Sequence, residues 1–449
     1  MMSFRKIFLV TVLGSVITSC SEDFLDPELS RSKDFTTSVN TIEDLQGLIL
    51  GAYDRMNAST YYGRDYVVFA EVRSDNAFSN GNSGRFVSPG QFVVSATDAY
   101  ADDTWQQIYS VIANTNIVIN SQIEGDETDE VQYVKGQAYA IRALAYMDLL
   151  RLYGQQYTGG NLGVPIVTEF KNDNNKFPSR ATVAEVWNQV GEDLEKAAAI
   201  MKPSLDSGSP TEMTTSAVFA LQSRYYLNVE DWQNAAIAAK KVIDSQNYDI
   251  APASEFAKSW SVNEGSNSVF ELAFTDADNL GNTSLFYIYH ETNYGDIEVT
   301  SDLYDSYDAA DVRKTVYTDV EGVIRTAKYP SFYDNVRVIR YEEVVLNYAE
   351  ALTHLNDPNA LTYLNMIPQN RGASTYAIAN VDNVLQERRK ELAMEGFRFF
   401  DLMRYGRDIV KVDQGQTFAD GGISFGSPEL AFPIPQRELN ANPNIEPNQ

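Results

Sequence analysis

The sequence predicts a mostly α-helical protein, in which tetratricopeptide-like helix pairs form a scaffold and long irregular, β-containing insertions sit between them. Two observations carry that expectation. Apolar residues recur at three- and four-residue spacings over long stretches. Two segments, 58–100 and 251–335, lose that period and fill with Gly, Ser, Asn, Asp and aromatic residues.

Taken in order, Thr41 is an N-cap candidate, followed by Leu45, Leu48, Ile49 and Ala52 on one helix face. Beyond the insertion at 58–100, Trp105, Ile108, Tyr109, Ile112, Ile117 and Val118 mark a second helix, and Tyr133 to Tyr153 a long third one. Ala217 to Leu227 and Trp232 to Ile243 place small alanines where helices must approach closely and aromatics where they wedge between turns, which resembles a tetratricopeptide unit. Similar first helices are expected at Gly136–Leu152 and Val338–Leu355, but their starts lie far more than about 34 residues apart, so no regular solenoid is expected. Within 251–335 the period shortens toward two, and Val269 to Phe274 and Leu285 to Tyr289 read as strands.

At the N-terminus, Arg5 and Lys6 precede an apolar run from Ile7 to Ile17, too short for the roughly 20 residues of a membrane span. It reads as a signal peptide over 1–19. The run ends at Ile17-Thr18-Ser19-Cys20, which resembles a bacterial lipobox with the chain's one cysteine at the acylation position. Residues 20–40 are polar apart from Phe24-Leu25 and read as a lipidated tether, with Ser21-Glu22-Asp23 similar to an acidic surface-export tag. The expected organisation is then a helical scaffold over 41–250 carrying the first insertion, a ligand-side insertion over 251–335, and a C-terminal helical region over 336–449.

Composition removes several classes of chemistry. A net charge of −27 on 449 residues repels phosphate backbones, so no nucleic-acid partner is expected. One cysteine and two histidines leave no disulfide framework, no thiol redox pair and no multi-His metal site. His354 lies in an apolar-periodic helix and His290 in an aromatic run, which reads as core or surface placement for both. Asp276 to Gly281 begins like a calcium loop, but Leu280 and Tyr287 occupy ligand positions, so it reads as a turn. Glu387, Glu391 and Glu395 could form a hydrolase's carboxylate pair, yet they alternate with Arg388, Arg389, Lys390 and Arg398 in an ion-pair pattern. No catalytic residue, metal site or cofactor is expected.

Aromatic residues in the insertions point toward binding instead. Tyr and Trp offer an apolar face and a polar edge suited to sugar C–H faces and hydroxyl rims. The candidates are Tyr61, Tyr62, Tyr66 and Phe78 in the first insertion and Trp260, Tyr287, Tyr289 and Tyr294 in the second. Asp75, Asn76 and Arg85 are candidate hydrogen-bonding partners, although Asp75-Asn76 equally reads as a turn cap.

Several motifs resemble one family, the SusD/RagB nutrient-binding outer-membrane lipoproteins. They are Cys20 to Asp26; Trp105 to Tyr109 with Ala113 to Asn116; Lys135 to Ala138 with Arg142-Ala143; Arg340 to Val344 with Asn347 to Ala351; Glu387 to Arg398 with Asp401-Leu402 and Arg404; and Phe432 to Pro435 with Glu438-Leu439. The segment from Glu71 to Asn76 is similar to the family's lead into a ligand-facing loop. The resemblance implies a SusD-like fold without catalytic machinery. It implies a lid, lipid-anchored at Cys20 on the outer membrane and facing the exterior, that hands an oligosaccharide to a SusC-like TonB-dependent transporter. A RagB-type peptide cargo is the alternative, and a surface-anchored glycoside hydrolase a further one. Glu391 and Arg398 fall in the resemblance's structural set.

Overall fold

The computed structural model describes residues 39–123, 128–169, 176–290 and 293–448. The signal peptide, Cys20 and all of the tether except Val39 and Asn40 lie outside the described residues. The main helices are α1 (Ile42–Asn57), α2 (Asp65–Val72), α3 (Ala99–Asn120), α4 (Asp129–Tyr153), α5 (Val183–Ile200), α6 (Thr215–Asn228), α7 (Trp232–Ser245), α8 (Tyr341–His354), α9 (Ala360–Arg371), α10 (Val381–Leu392) and α11 (Arg398–Arg404).

Polar caps fix where these helices begin. Thr41 and Asp44 form a capping box on α1, Thr182 and Glu185 form another on α5, and Thr128, Thr214, Asp231 and Asn380 each accept a backbone N–H from the first turn of α4, α6, α7 and α10. Helix α4 is buried on nearly every side, because α1, α3, α5 and α6 all pack around it. It buries Lys135, Gln137, Arg142, Asp148 and Arg151 along with its apolar residues. Helices α6 and α7 pair, α8 packs on α7, and α9 and α10 pack on α8. Gly191 of α5 permits close approach: a Cβ there would lie 2.4 Å from the Tyr225 hydroxyl of α6.

Six short strands complete the described fold: β1 (Ala77–Ser79), β2 (Ser268–Leu272), β3 (Ile297–Val299), β4 (Tyr317–Val320), β5 (Val323–Thr326) and β6 (Val336–Arg340). All pair antiparallel as β1·β3, β2·β6 and β4·β5. The β4–β5 hairpin turns on Glu321 and Gly322, both at positive φ, the geometry that matches strand twist. The pair that matters for function is β1·β3. It runs Ala77 opposite Val299, Phe78 opposite Glu298 and Ser79 opposite Ile297, and so stitches the first insertion to the second.

Three sequence expectations are corrected. Leu285–Tyr289 is a short helix, not a strand: Leu285, Ile288 and Tyr289 turn inward, the i, i+3, i+4 spacing that five apolar residues cannot distinguish from alternation. Val336–Arg340 is strand β6, so the helix expected from Val338 begins only at Tyr341; five wholly buried residues, three of them Val or Ile, pair with β2 instead. The start of the first insertion is core rather than loop, since all eight residues of α2 are buried and a helix apolar all round leaves no period to read.

Candidate functional site

The structure divides the expected binding residues into core and surface. Tyr61 and Tyr66 are buried and donate their hydroxyls to the buried Asp148 carboxylate, with Tyr62 packed against both rings. Burial first, and the neighbouring Asp148 charge second, hold the Tyr61 and Tyr62 phenols well above their ordinary range. Tyr289 is fully buried. Trp260 is 2% exposed and lies against Lys328, Arg337 and Arg340, whose charged groups sit 4.6, 4.4 and 5.4 Å from its rings. None of these four tyrosines nor Trp260 offers a face to a ligand; each fills a core that the apolar excess of the insertions helps build.

Asp75 and Asn76 form a clasp. Arg398 donates two hydrogen bonds to the Asp75 carboxylate at 2.7 and 2.8 Å, and Arg389 donates to the Asn76 amide oxygen at 2.9 Å and to the Asp75 carbonyl at 2.7 Å. Burial works to raise the Asp75 carboxyl, but Arg398 and Arg389 hold it below its ordinary value. Glu71 accepts the backbone N–H of Gly396 at 2.8 Å. Gly396 takes φ of 90° and lies so close to Val67 that a Cβ would sit 3.1 Å from the Val67 Cα, so both conformation and space require glycine. The motifs at 71–76 and 387–398, distant in sequence, are two halves of one structural joint.

The carboxylates of that joint are saturated with cations. Glu391 accepts from Arg371 at 2.9 and 3.1 Å, from Arg340 at 3.1 Å and from Arg313 at 3.3 Å; Glu395 accepts from Lys328 and Arg340; Glu387 accepts from Arg313 at 2.6 Å. Burial works to raise the Glu391 carboxyl, and the three guanidinium groups hold it far below its ordinary range. This is a buried ion cluster with no room for substrate. Glu395 lies just past the end of α10, in the turn that leads to Gly396. His354 stacks flat on Trp232 at 3.7 Å and hydrogen-bonds Tyr405. Among the described residues no group of three metal-ligating side chains comes together.

At the surface, the strand pair β1·β3 brings Arg85 to Tyr294. The Arg85 guanidinium lies 4.6 Å from the Tyr294 ring and donates to Asp296 at 3.2 Å. Tyr294 is 43% exposed; Tyr287 stands beside it, with ring centroids 5.7 Å apart and planes inclined at 55°. Asn282 donates to the Tyr294 hydroxyl at 3.3 Å. Beneath the rings, Asn80 donates to the Gly295 carbonyl at 2.9 Å and to Glu298 at 3.0 Å, and Arg325 bridges the same two groups at 3.1 and 3.2 Å. Gly295 takes φ of 54°, and a Cβ there would meet Arg325 Nε at 2.5 Å, so a side chain at this position would push Arg325 off this support. Phe78, opposite Glu298 in the strand pair, packs against Gly415.

Tyr287, Tyr294 and Arg85 thus come together as expected candidates, whereas Asn80, Asn282, Asp296, Glu298 and Arg325 escaped sequence reasoning. The only hint of the last group was the turn-rich Asn/Gly/Asp composition flanking the aromatic run. The platform's charges balance locally, Arg85 against Asp296 and Arg325 against Glu298. Its chemical capacity is to stack a flat apolar ring face and to exchange hydrogen bonds at that ring's rim.

Residues 23–227 match a family model described as starch-binding and associating with the outer membrane, and residues 331–449 match the SusD family model. The chain belongs to the SusD family. A SusD superfamily protein of Bacteroides thetaiotaomicron has the same fold, with a TM-score of 0.84 and 29% identity over 91% of this chain and 100% of that one. A SusD-like carbohydrate-binding protein of Bacteroides vulgatus aligns with a TM-score of 0.81 and 21% identity over 90% and 97% of the two chains, a likeness of fold. The SusD-like protein P2 of Formosa agariphila is 25% identical, covering 100% of this chain and 99% of its own. The family is one of glycan-binding proteins of the outer membrane. Among the described residues of this SusD-family chain, no helix is long and apolar enough to cross a membrane.

Proposed function

We propose that this SusD-family protein captures a neutral oligosaccharide on the Tyr287–Tyr294 platform and passes it, from a lipid anchor at Cys20, to a TonB-dependent outer-membrane transporter. The observation that carries the binding half is Tyr294. Arg85 covers one face of its ring, which orients the ring, and 43% of the residue stays open to solvent. A sugar's C–H face stacks on the open side, while Asn282 and the edge of Tyr287 serve its hydroxyls. The neutral cargo follows from paired charges at the platform and from the chain's −27, both of which disfavour polyanions. Glu387, Glu391 and Glu395, each engaged by cations, support a binding rather than a hydrolytic role.

The test is calorimetric titration of the mature protein against neutral oligosaccharides and against cationic peptides. Tyr294→Ala is expected to weaken oligosaccharide binding about tenfold, the scale of a lost aromatic stack, at an unchanged melting temperature. Tight, salt-sensitive peptide binding with no oligosaccharide response would replace the sugar reading with a peptide-capturing lid. Reducing ends released from polysaccharide would replace it with a hydrolase.

A further inference from the structure

Most buried arginines of this fold face carboxylates: Arg313, Arg340 and Arg371 share Glu387, Glu391 and Glu395, and Arg224 pairs with Glu343 at 2.7 Å. Arg180 and Arg337 bond only backbone carbonyls, and Arg73 is the one of these three with two unpartnered nitrogens. It is 1% exposed, yet it makes no ion pair among the described residues. Its Nη2 donates to the backbone carbonyls of Glu429 and Leu430 at 2.9 and 3.0 Å, while Nε and Nη1 have no acceptor. Its charge rests in a box of three rings, with Phe92, Phe399 and Phe432 centroids 5.1, 4.4 and 4.6 Å from Cζ. Aromatic faces offset only part of the cost of desolvating a guanidinium. Burial accordingly pushes its pKa down to about 9.

Beside this box lies a cavity of about 190 Å³, lined by Arg73, Phe92, Val94, Glu429, Phe432, Pro433 and Asn448 among others. Asn448 contributes a second unpartnered atom. Its Nδ2 donates to the Tyr153 and Phe432 carbonyls at 2.9 and 2.7 Å, but its buried Oδ1 receives no hydrogen bond. Two residues of one cavity wall therefore carry unpartnered buried atoms, a cation short of acceptors and an amide oxygen short of a donor, whose burial is costly unless something meets them.

We propose that this cavity is a binding site for a hydroxy acid of single-sugar size, its carboxylate on Arg73, a hydroxyl donating to Asn448 Oδ1, and its C–H faces on Phe92, Val94 and Pro433. A plain carboxylate satisfies only the cation, and a neutral sugar lacks the countercharge. The volume is below the roughly 300–1,000 Å³ of ordinary ligand clefts, which limits the occupant to one ring. With Nη2 committed to the backbone, Nη1 is the terminal nitrogen left to take the carboxylate, which is held at a single point. The site uses none of the platform residues and stands independently of the oligosaccharide reading.

The test is titration of the whole mature protein with glucuronate, glucose and acetate as separate probes. Glucuronate is expected to bind saturably, and glucose and acetate at least about tenfold more weakly, the scale of one charge-assisted hydrogen bond. Val94 is half-buried in the cavity wall, so Val94→Trp fills the space without removing a core group and is expected to abolish glucuronate binding in a protein that keeps its helical spectrum. Tyr294→Ala is expected to leave glucuronate binding intact, which separates this site from the platform. No saturable glucuronate signal, meaning a cavity that holds water only, overturns the proposal. So does glucuronate binding that matches glucose or acetate, or that survives Val94→Trp.

Discussion

At the scale of single residues, an aromatic side chain does one of two jobs here, and its neighbours decide which. Trp260 and Tyr294 both contact arginines, but Trp260 has its ring against three cations inside the core and Tyr294 has one arginine behind it and solvent in front. Trp260→Ala is expected to cost about 3–5 kcal/mol of stability, because a large ring leaves a cavity over a buried ion cluster. Urea unfolding checks this, and the protein that remains folded should bind oligosaccharide as tightly as before. Tyr294→Ala gives the reverse pattern. Sequence alone could nominate both residues, since Tyr and Trp chemistry is the same in either setting, and could not separate them.

Among the elements, helix α10 holds the joint together through buried charge. Three arginines converge on Glu391, and the segment that follows carries Glu395 and Gly396 into contact with β6 and with α2. The pH consequence has a definite sign. Burial alone would raise the Glu391 and Glu395 carboxyls, but their cations win and hold both below the ordinary 4.5. A depressed folded-state pKa adds stability that is fully present above the unfolded value and is lost as pH falls below it toward the folded one. Melting temperature should therefore drop as pH falls below about 4.5. Glu391→Gln should flatten part of that drop and lower stability at neutral pH by about 3 kcal/mol, since it removes a shared charge partner from three buried guanidinium groups that keep their other carboxylates. Thermal scans of both proteins across this range check the sign. A steeper acid loss in the variant than in the parent contradicts it.

Over the whole molecule, the helical layers position the insertions, and the strand pair β1·β3 makes one surface from two distant segments. Delivery to a transporter additionally requires that the surface be held at the membrane. The proposed anchor at Cys20 predicts that the intact protein incorporates labelled fatty acid and partitions into detergent, and that Cys20→Ala abolishes the label while leaving oligosaccharide affinity unchanged in the purified protein. Label retained by the Cys20→Ala variant would refute the anchor. Because several acyl chains hold a protein firmly without a spanning helix, the anchor is compatible with a fold that offers no described membrane-crossing helix.

By itself the sequence determined the helical class and the places where helices α1, α3, α4, α6 and α7 run, because apolar spacing and capping residues act over a few positions and are written locally. It also determined the family, through motifs whose spacing survives divergence. Tertiary structure decided everything that depends on partners far along the chain. Arg85 meets Tyr294 only because Phe78 pairs with Glu298, Asp75 is spent on Arg398, and Arg73 is left without a carboxylate while Arg340 has more than one. Side-chain chemistry states what a residue can do, and the contacts made across more than 200 residues of chain decide whether it faces the core or the ligand.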